Sequence, residues 1–391
     1  MLIAGACSPQ AATPTPTVSS SQTTAPSASA TPTQPPTPTA TAACADRVLA
    51  SMSVPQRVGQ LILLGLASDQ LGAAEVDAIR THHIGSVWFV EQSSGGVATI
   101  RAVADAVQNL VGVDTTANVR FYVAANQEGG IIQSLKGPGF STIPTAVDQG
   151  ALDPDTLRQR ATQWGRELAA AGVNLNFAPV LDVVPPGTDA QNEPIGVLKR
   201  EYGHDPTTVA AHGAAFLRGM AASGMATTAK HFPGLGRVKG NTDVTAAVVD
   251  DSTTSDDAYL APFRDAIAAG VPFVMVALAT FTRIDAQHLA AFSPTVMRQM
   301  LRTTLGFSGA IVSDDLGATA AVATIPPGQR AIDFLTSGGD FIISKTVAPA
   351  NAMASAVVAR AASDAAFQAR VDDAALRVLR AKEQSGLLRC S

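Results

Sequence analysis

Eight short runs of apolar residues alternate along this chain with stretches that have the pattern of amphipathic helices. Short continuous apolar runs suit strands that are buried on both faces, and helices between such strands are typical of a parallel sheet. Eight strand–helix units favour an α/β fold that closes into a (β/α)₈ TIM-like barrel over an open doubly wound sheet. The predicted strands are residues 58–66, 84–90, 121–125, 174–180, 227–232, 273–279, 309–313 and 341–344.

The ends of the predicted helices support the same fold. Several helix-like stretches stop at a glycine, which readily adopts the left-handed backbone found after a helix C-terminus. Gly172, Gly224, Gly270 and Gly338 occupy these positions. We therefore predict helices at residues 156–171, 207–222, 259–269, 294–304 and 328–337.

Composition divides the chain into three parts. Residues 8–43 consist almost entirely of Pro, Thr, Ser, Ala and Gln, with no charged and no aromatic residue. Such a segment has too little apolar surface to fold, and it is typical of a disordered linker that its prolines stiffen. Residues 44–391 are rich in Ala, Val, Leu and Gly and suit one barrel domain. We expect a leader at 1–7, the linker at 8–43 and a single barrel domain at 44–391.

Residues 1–7 resemble the end of a bacterial lipoprotein signal, because small residues lead to Cys7 and a Pro/Thr/Ser-rich stalk follows. A lipid on Cys7 would anchor the protein, and the stalk would carry the barrel clear of the membrane surface. We predict an exported protein, either secreted or held at the outer face of the cell membrane by this anchor alone. Release of a Cys7→Ala variant from the membrane fraction would test the prediction.

Cys44 and Cys390 lie at the two ends of the predicted barrel domain. Exported proteins can form disulfides, and in a closed barrel the first strand pairs with the last, which brings the chain ends together. We therefore predict a disulfide between these two residues, with their Cα atoms at most about 7 Å apart.

Several classes of function lack their sequence signature here. The formal net charge is −5 and no Lys/Arg cluster is present, so a nucleic-acid partner is not expected. No Gly-x-Gly-x-x-Gly follows the first strand, no Gly-x-Ser-x-Gly is present, and the six His residues lack metal-ligand spacing. We expect a monomer that acts on a neutral substrate without a cofactor or a metal ion.

Polar residues lie at the carboxyl ends of the predicted strands, where barrel enzymes carry their active sites. One strand leads to Asp314 and Asp315, and only one of the two can point into the barrel mouth because side chains alternate along a strand. Taken alone, such an acidic pair is about as typical of a helix cap or a solvated loop. Another strand ends in Lys230 and His231 and enters a Gly-rich loop, where both side chains could hydrogen-bond substrate hydroxyls.

Five motifs follow one another near these strand ends. They are Asn-Gln-Glu-Gly-Gly (126–130), Asn-Phe-Ala-Pro-Val-Leu-Asp (176–182), Arg-Glu-Tyr-Gly-His-Asp-Pro (200–206), Lys-His-Phe-Pro-Gly (230–234) and Ser-Asp-Asp-Leu (313–316). In this order they resemble glycoside hydrolase family 3, and within it the bacterial β-N-acetylglucosaminidases that trim or recycle cell-wall sugars. The resemblance spans about residues 46–385 and implies the family's barrel without its second domain. It also implies that Asp314 is the nucleophile and that Arg200, Lys230 and His231 bind the terminal sugar.

Three departures from the family pattern bear on the chemistry. Asn126 stands where the family has Asp, so it can hydrogen-bond a sugar hydroxyl but brings no charge, and Ser134 replaces an Arg. On the loop after residues 230–234, the N-acetylglucosaminidase branch has an Asp-x-His dyad whose His is the acid/base. Asn241 and Asp243 occupy those two positions. We therefore predict Asp243 as the proton donor, with its pKa raised by desolvation.

The residues and the resemblance together predict a retaining glycoside hydrolase that removes terminal β-linked N-acetylglucosamine, or a related β-hexose, from cell-wall or other glycans. Such a mechanism needs one carboxylate as the nucleophile and a second group as the acid/base, here Asp314 and Asp243. A β-glucosidase or a phosphorylase on the same scaffold stays open. So does a non-catalytic sugar-binding surface lipoprotein, which the loss of the Asp-x-His dyad would favour.

Overall fold

The computed structural model describes residues 43–388, in which eight parallel strands close into a barrel. Each strand pairs with its neighbours in the chain, and the first pairs with the last, where Ile62 lies beside Ile342. The predicted (β/α)₈ fold is confirmed. The barrel strands are β1 (Ile62–Leu66), β2 (Ser86–Phe89), β3 (Tyr122–Ala125), β4 (Leu175–Asn176), β5 (Ala226–Phe232), β6 (Phe273–Val276), β7 (Ala310–Asp315) and β8 (Phe341–Ser344).

Helices precede, separate and follow the strands within residues 43–388. The predicted glycines follow their helices with positive φ angles of 76° to 119°, as the left-handed conformation requires. The helices are α1 (Cys44–Ser51), α2 (Val54–Gln60), α3 (Ala73–His82), α4 (Gly96–Gln108), α5 (Val113–Thr116), α6 (Ala146–Gly150), α7 (Pro154–Ala170), α8 (Pro206–Ala221), α9 (Ala261–Ala268), α10 (Pro327–Ser337), α11 (Val347–Ser363) and α12 (Ala365–Gln384), with a π-helix at Thr295–Thr304.

The eight strand predictions match the eight barrel strands but are partly wrong in length. Within residues 43–388, four further short strands form two small sheets outside the barrel: Gln127–Gly129 with Ile132–Gln133, and Val249–Asp250 with Thr280–Phe281. The strand predicted at 58–66 begins only at Ile62, because α2 occupies the residues before it. Ser53 and Gln56 form a capping box that starts this helix. The predictions at 174–180 and 273–279 shorten to β4 and β6, whereas β7 extends through Asp315. Both acidic residues of the pair therefore belong to a strand, not to the loop after it.

Aromatic side chains from the first residues of three strands fill the amino-terminal end of the barrel. The rings of Tyr122 and Phe273 meet edge to face with centroids 5.4 Å apart, and Phe341 lies 5.8 Å from Phe273. The Tyr122 hydroxyl forms a 2.9 Å hydrogen bond with the Ser385 hydroxyl, so its polar group is satisfied although the ring is buried. This end of the barrel is a packed core.

Several predictions depend on residues outside the part of the chain that the structure describes: the leader at 1–7, the linker at 8–43 apart from residue 43, the lipid anchor and the disulfide. Cys7 and Cys390 both lie there, whereas Cys44 begins α1 and is buried. The lipid anchor and the Cys44–Cys390 disulfide stay predictions. From residue 43 to residue 388, no helix has both the length and the apolar character needed to cross a membrane.

Candidate active site

A cavity of about 390 Å³ lies among the residues that end the barrel strands and begin the following loops. Small-molecule sites in proteins span roughly 300 to 1,000 Å³. Trp88, Phe177, Met275 and Ile343 give the cavity an apolar part. The structure also brings together in this wall every catalytic and substrate-binding residue that we predict from the sequence: Asn126, Arg200, Lys230, His231, Asp243 and Asp314.

Glu128 holds two cations of the cavity wall, Arg200 and Lys230, although the sequence analysis gives it no role. Its carboxylate accepts two 2.8 Å hydrogen bonds from the Arg200 guanidinium, and Lys230 Nζ lies 2.5 Å from the same carboxylate. Burial alone would raise the pKa of Glu128, but Arg200 and Lys230 outweigh burial and hold this pKa at about 2. Glu128 thus stays ionised and fixes both cations, and its place in the first motif is the signal that could have revealed it.

We expect Glu128→Gln to destabilise the fold in a pH-dependent way. The pKa of Glu128 lies below the ordinary value of 4.5, so its ionisation stabilises the fold above about pH 4.5, and this contribution is lost as the pH falls towards 2. The contribution is on the order of 3 kcal/mol. Urea unfolding should show a large difference between wild type and variant at pH 6, and about half that difference at pH 3. A difference that does not change with pH would contradict the role of the charge.

His231 is oriented by a second buried carboxylate. Asp182 accepts a 2.8 Å hydrogen bond from His231 Nδ1, and its other oxygen accepts the backbone N–H groups of His231 and Leu235. Because Nδ1 donates to Asp182, the neutral ring keeps its proton on Nδ1 and leaves Nε2 as an acceptor. A substrate hydroxyl can donate to that nitrogen.

The two members of the acidic pair have different surroundings in the structure. Asp315 accepts the backbone N–H groups of Gly317, Ala318 and Lys345 at 2.8 to 3.1 Å, so its carboxylate organises the loops around β7 and β8. Asp314 is half-buried in the cavity wall, and one of its oxygens accepts the backbone N–H of Asp315 at 2.8 Å. Asp315 lines the same cavity, but three backbone N–H groups occupy its carboxylate, so Asp314 has more of its carboxylate free for a ligand.

The loop after β5 carries Asp243 to the mouth of the cavity. Asn241 Oδ1 accepts the backbone N–H of Asp243 at 3.0 Å, so Asn241 closes a turn in this loop. The carbonyl groups of Thr242 and Asp243 accept the N–H groups of Ala321 and Ala320 at 3.3 and 3.1 Å. Those alanines follow Asp314 in the chain, so the loops of the two predicted catalytic residues are joined.

Asp243 has the electrostatic surroundings of a proton donor. Its side chain is open to solvent at the mouth, yet the surrounding loops desolvate it in part. This desolvation, and then the negative charge of Asp314, raise the pKa of Asp243. A raised pKa keeps a carboxyl group protonated at higher pH, which suits a general acid.

The asparagines that begin the first two motifs, and Ser134, have separate roles. Asn126 accepts a 2.9 Å hydrogen bond from Lys230 Nζ and leaves its amide N–H groups for a ligand in the cavity. Asn176 binds both backbone groups of Gln127, and this fixes the turn after β3. Ser134, which stands where the family has Arg, is buried outside the cavity wall, and its N–H donates to the Asn126 carbonyl.

The cavity wall also contains Lys345 and Trp88, to which the sequence analysis gives no role. Lys345 follows β8, and Trp88 lies within β2. The position of Lys345 after a barrel strand is a signal that could have identified it, whereas Trp88 lies within an apolar run. Within residues 43–388, no group of three or more His, Cys, Asp or Glu side chains is arranged to hold a metal ion.

Comparisons with known proteins agree with this geometry. A family model described as the glycosyl hydrolase family 3 N terminal domain matches residues 53–381. A β-hexosaminidase of Stenotrophomonas maltophilia is 33% identical over 300 residues, which cover 72% of this chain and 82% of that protein. The crystal structure of a β-N-acetylhexosaminidase from Beutenbergia cavernae has 49% identity and a TM-score of 0.83, and the match covers 85% of this chain and 99% of that one. A family 3 β-N-acetylglucosaminidase from Paenibacillus sp. has 27% identity and a TM-score of 0.78, with 87% and 64% covered.

Proposed function

This chain belongs to glycosyl hydrolase family 3, and from that premise we propose that it is a retaining β-N-acetylhexosaminidase. Its substrates are glycans, such as peptidoglycan fragments or other oligosaccharides, that end in β-linked N-acetylglucosamine or a related β-hexose. The names of its relatives support the N-acetylated sugar.

One observation carries the proposal. Five acidic side chains in or directly behind the cavity wall are described above, and three of them are paired within the protein. Glu128 forms ion pairs with Arg200 and Lys230. Asp182 binds His231, and Asp315 accepts backbone N–H groups. Asp314 and Asp243 remain available in the wall. Two available carboxyl groups beside one sugar-sized cavity are what a retaining glycosidase requires.

In this mechanism, each predicted catalytic or sugar-binding residue has a defined role. Asp314 attacks the anomeric carbon while Asp243 gives its proton to the leaving oxygen, and the glycosidic bond breaks as the Asp314 ester forms. Asp243, now ionised, removes a proton from water, which attacks the anomeric carbon and releases Asp314. Arg200, Lys230 and the Asn126 amide donate hydrogen bonds to sugar hydroxyls, and His231 Nε2 accepts one. We expect the two carboxyl groups to be about 5 to 5.5 Å apart with substrate bound.

Turnover of 4-nitrophenyl β-N-acetylglucosaminide tests this proposal against the matching β-glucoside. We expect kcat/KM to be at least about tenfold higher for the N-acetylated substrate, because a polar group that the site is built to bind discriminates strongly. Proton NMR should show the β-anomer as the first product.

Other outcomes would assign a different function. Preference for the glucoside would indicate a β-glucosidase, and an α-anomer formed first would contradict retention. A sugar 1-phosphate formed in phosphate buffer would indicate a phosphorylase. Saturable binding of N-acetylglucosamine without any turnover would indicate a sugar-binding protein.

A further inference from the structure

Asn192 is a buried polar residue that lies outside the cavity wall but contacts the loop that carries Asp243. Its side chain is 2% exposed. Its amide nitrogen donates to the carbonyl groups of Leu235 and Val238, both at 2.7 Å, and its oxygen accepts the N–H of Gly196 at 2.8 Å. One side chain therefore ties together two loops that enter the active site.

The neighbouring residue strengthens the same contact. The Glu193 N–H donates to the Lys239 carbonyl at 3.1 Å, and the Glu193 carboxylate accepts the Asn241 N–H at 3.1 Å. Residues 192–193 thus hold the loop at positions 235, 238, 239 and 241. On the far side of Asn241, the carbonyls of residues 242 and 243 accept N–H groups from the segment after Asp314. The loop that carries Asp243 is therefore held on one side by residues 192–193 and on the other by the segment after Asp314.

We infer that Asn192 is a positioning residue for the proton donor: it holds residues 235–243 in the conformation that places Asp243 in the cavity wall with Asp314. This inference rests on the proposed function. Through Gly196, the same side chain also fixes the segment that leads to Arg200, so the proton donor and a sugar-binding cation share one support.

The contact explains why an amide is required at this position. Asn192→Asp keeps the size of the side chain and the acceptor for Gly196, but it replaces the donor to Leu235 and Val238 with a carboxylate oxygen. Two buried carbonyls would then face a negative charge with no donor between them, which is unfavourable. We expect the loop to leave its position and to take Asp243 away from the leaving oxygen.

The experiment compares Asn192→Asp with a matched control, Asn174→Asp. Like Asn192, Asn174 bonds to the backbone through both ends of its amide: it donates to one carbonyl at 3.0 Å, where Asn192 donates to two, and accepts one N–H at 2.8 Å. It lies before β4 at the opposite end of the barrel. kcat/KM is measured for 2,4-dinitrophenyl and for methyl β-N-acetylglucosaminide. Only the methyl glycoside needs a proton for its leaving group to depart.

We expect Asn192→Asp to lower kcat/KM for the methyl glycoside by at least about tenfold more than for the dinitrophenyl glycoside, since general acid catalysis contributes about 10²- to 10⁴-fold. The alkaline limb of the kcat/KM profile should also move to lower pH, because Asp243 would no longer lie beside Asp314. Asn174→Asp should change both substrates by the same factor. Asn192→Ala removes the donor without adding charge and gives the same test if Asn192→Asp does not fold.

Two results would overturn the inference. An equal loss on both substrates in the Asn192 variants, with an unmoved pH profile, would show that Asn192 supports the fold alone. The same leaving-group dependence in Asn174→Asp would show that general destabilisation causes it. A wild-type protein that hydrolyses neither glycoside would instead refute the proposed function, and the inference would fall with it.

Discussion

Replacement of Asp314 by Ala should lower kcat for 4-nitrophenyl β-N-acetylglucosaminide roughly 10⁴- to 10⁶-fold, the range typical of the loss of a covalent nucleophile. Asp314 lines the cavity, and within the protein its carboxylate accepts a backbone N–H from the adjacent Asp315. The substitution removes the group that forms the glycosyl-enzyme but few contacts that hold the barrel. Thermal unfolding should therefore stay close to that of the wild type.

Asp315 provides the contrast within the same strand. Asp315→Ala should lower the melting temperature, because it removes the acceptor of three N–H groups, and an unsatisfied buried donor costs about 1 to 3 kcal/mol. An activated 2-deoxy-2-fluoro sugar should label Asp314 covalently, and mass spectrometry of the digested protein would locate the label. A label on Asp315, or an Asp314→Ala variant with activity within tenfold of the wild type, would refute the assignment of the nucleophile.

The architecture of this protein is readable from its sequence because the signal is repeated. Eight apolar runs with helices between them predict a closed parallel barrel, and small errors in single strands do not change that conclusion. The bounds were harder to predict. The strand predicted at 58–66 is a mostly apolar run, and only the capping box of Ser53 and Gln56 signals that a helix extends through residue 60. The sequence does not indicate that β4 is only two residues long, because tertiary contacts determine where a strand stops pairing.

Residues of the candidate site could be predicted where they lie at the end of a barrel strand or belong to one of the family's motifs. Asp314, Lys230 and His231 meet those conditions, and they line one cavity. The residues that hold the site were not predictable in the same way. Glu128 binds an arginine 72 positions away, and Asn192 binds carbonyls 43 and 46 positions away. No local pattern encodes such pairs, because they exist only once the strands are side by side.

The structure shows which charged groups of the site pair with one another, which the sequence alone does not show. Arg200 and Lys230 would repel each other without Glu128, whose carboxylate lies between them and keeps both available for sugar hydroxyls. Desolvation and then the negative charge of Asp314 raise the pKa of Asp243, and they outweigh the positive charges of Arg200 and Lys345, which act to lower it. The raised pKa extends the protonated form of Asp243 to higher pH, which suits the residue that donates a proton.

Asp243→Ala and Asp243→Asn should both lower kcat/KM by about 10²- to 10⁴-fold for substrates with poor leaving groups, such as methyl β-N-acetylglucosaminide. The same variants should cleave the dinitrophenyl glycoside at nearly the wild-type kcat/KM, because that leaving group departs without a proton. The wild type should lose activity as the pH rises through the raised pKa of Asp243, since the protonated form is required. Both variants should lack this alkaline limb.

The two variants separate the chemistry of Asp243 from its place in the loop. Asn keeps the shape of the side chain, so a residue that only shapes the loop would tolerate Asp243→Asn, whereas a proton donor would not. Azide should also restore part of kcat for the dinitrophenyl glycoside, because this small anion attacks the glycosyl-enzyme without general-base help. The product would then be a β-glycosyl azide. An equal loss on both substrates without azide rescue would mean that another group supplies the proton. His231, which lines the same cavity, already donates a hydrogen bond from Nδ1 to Asp182.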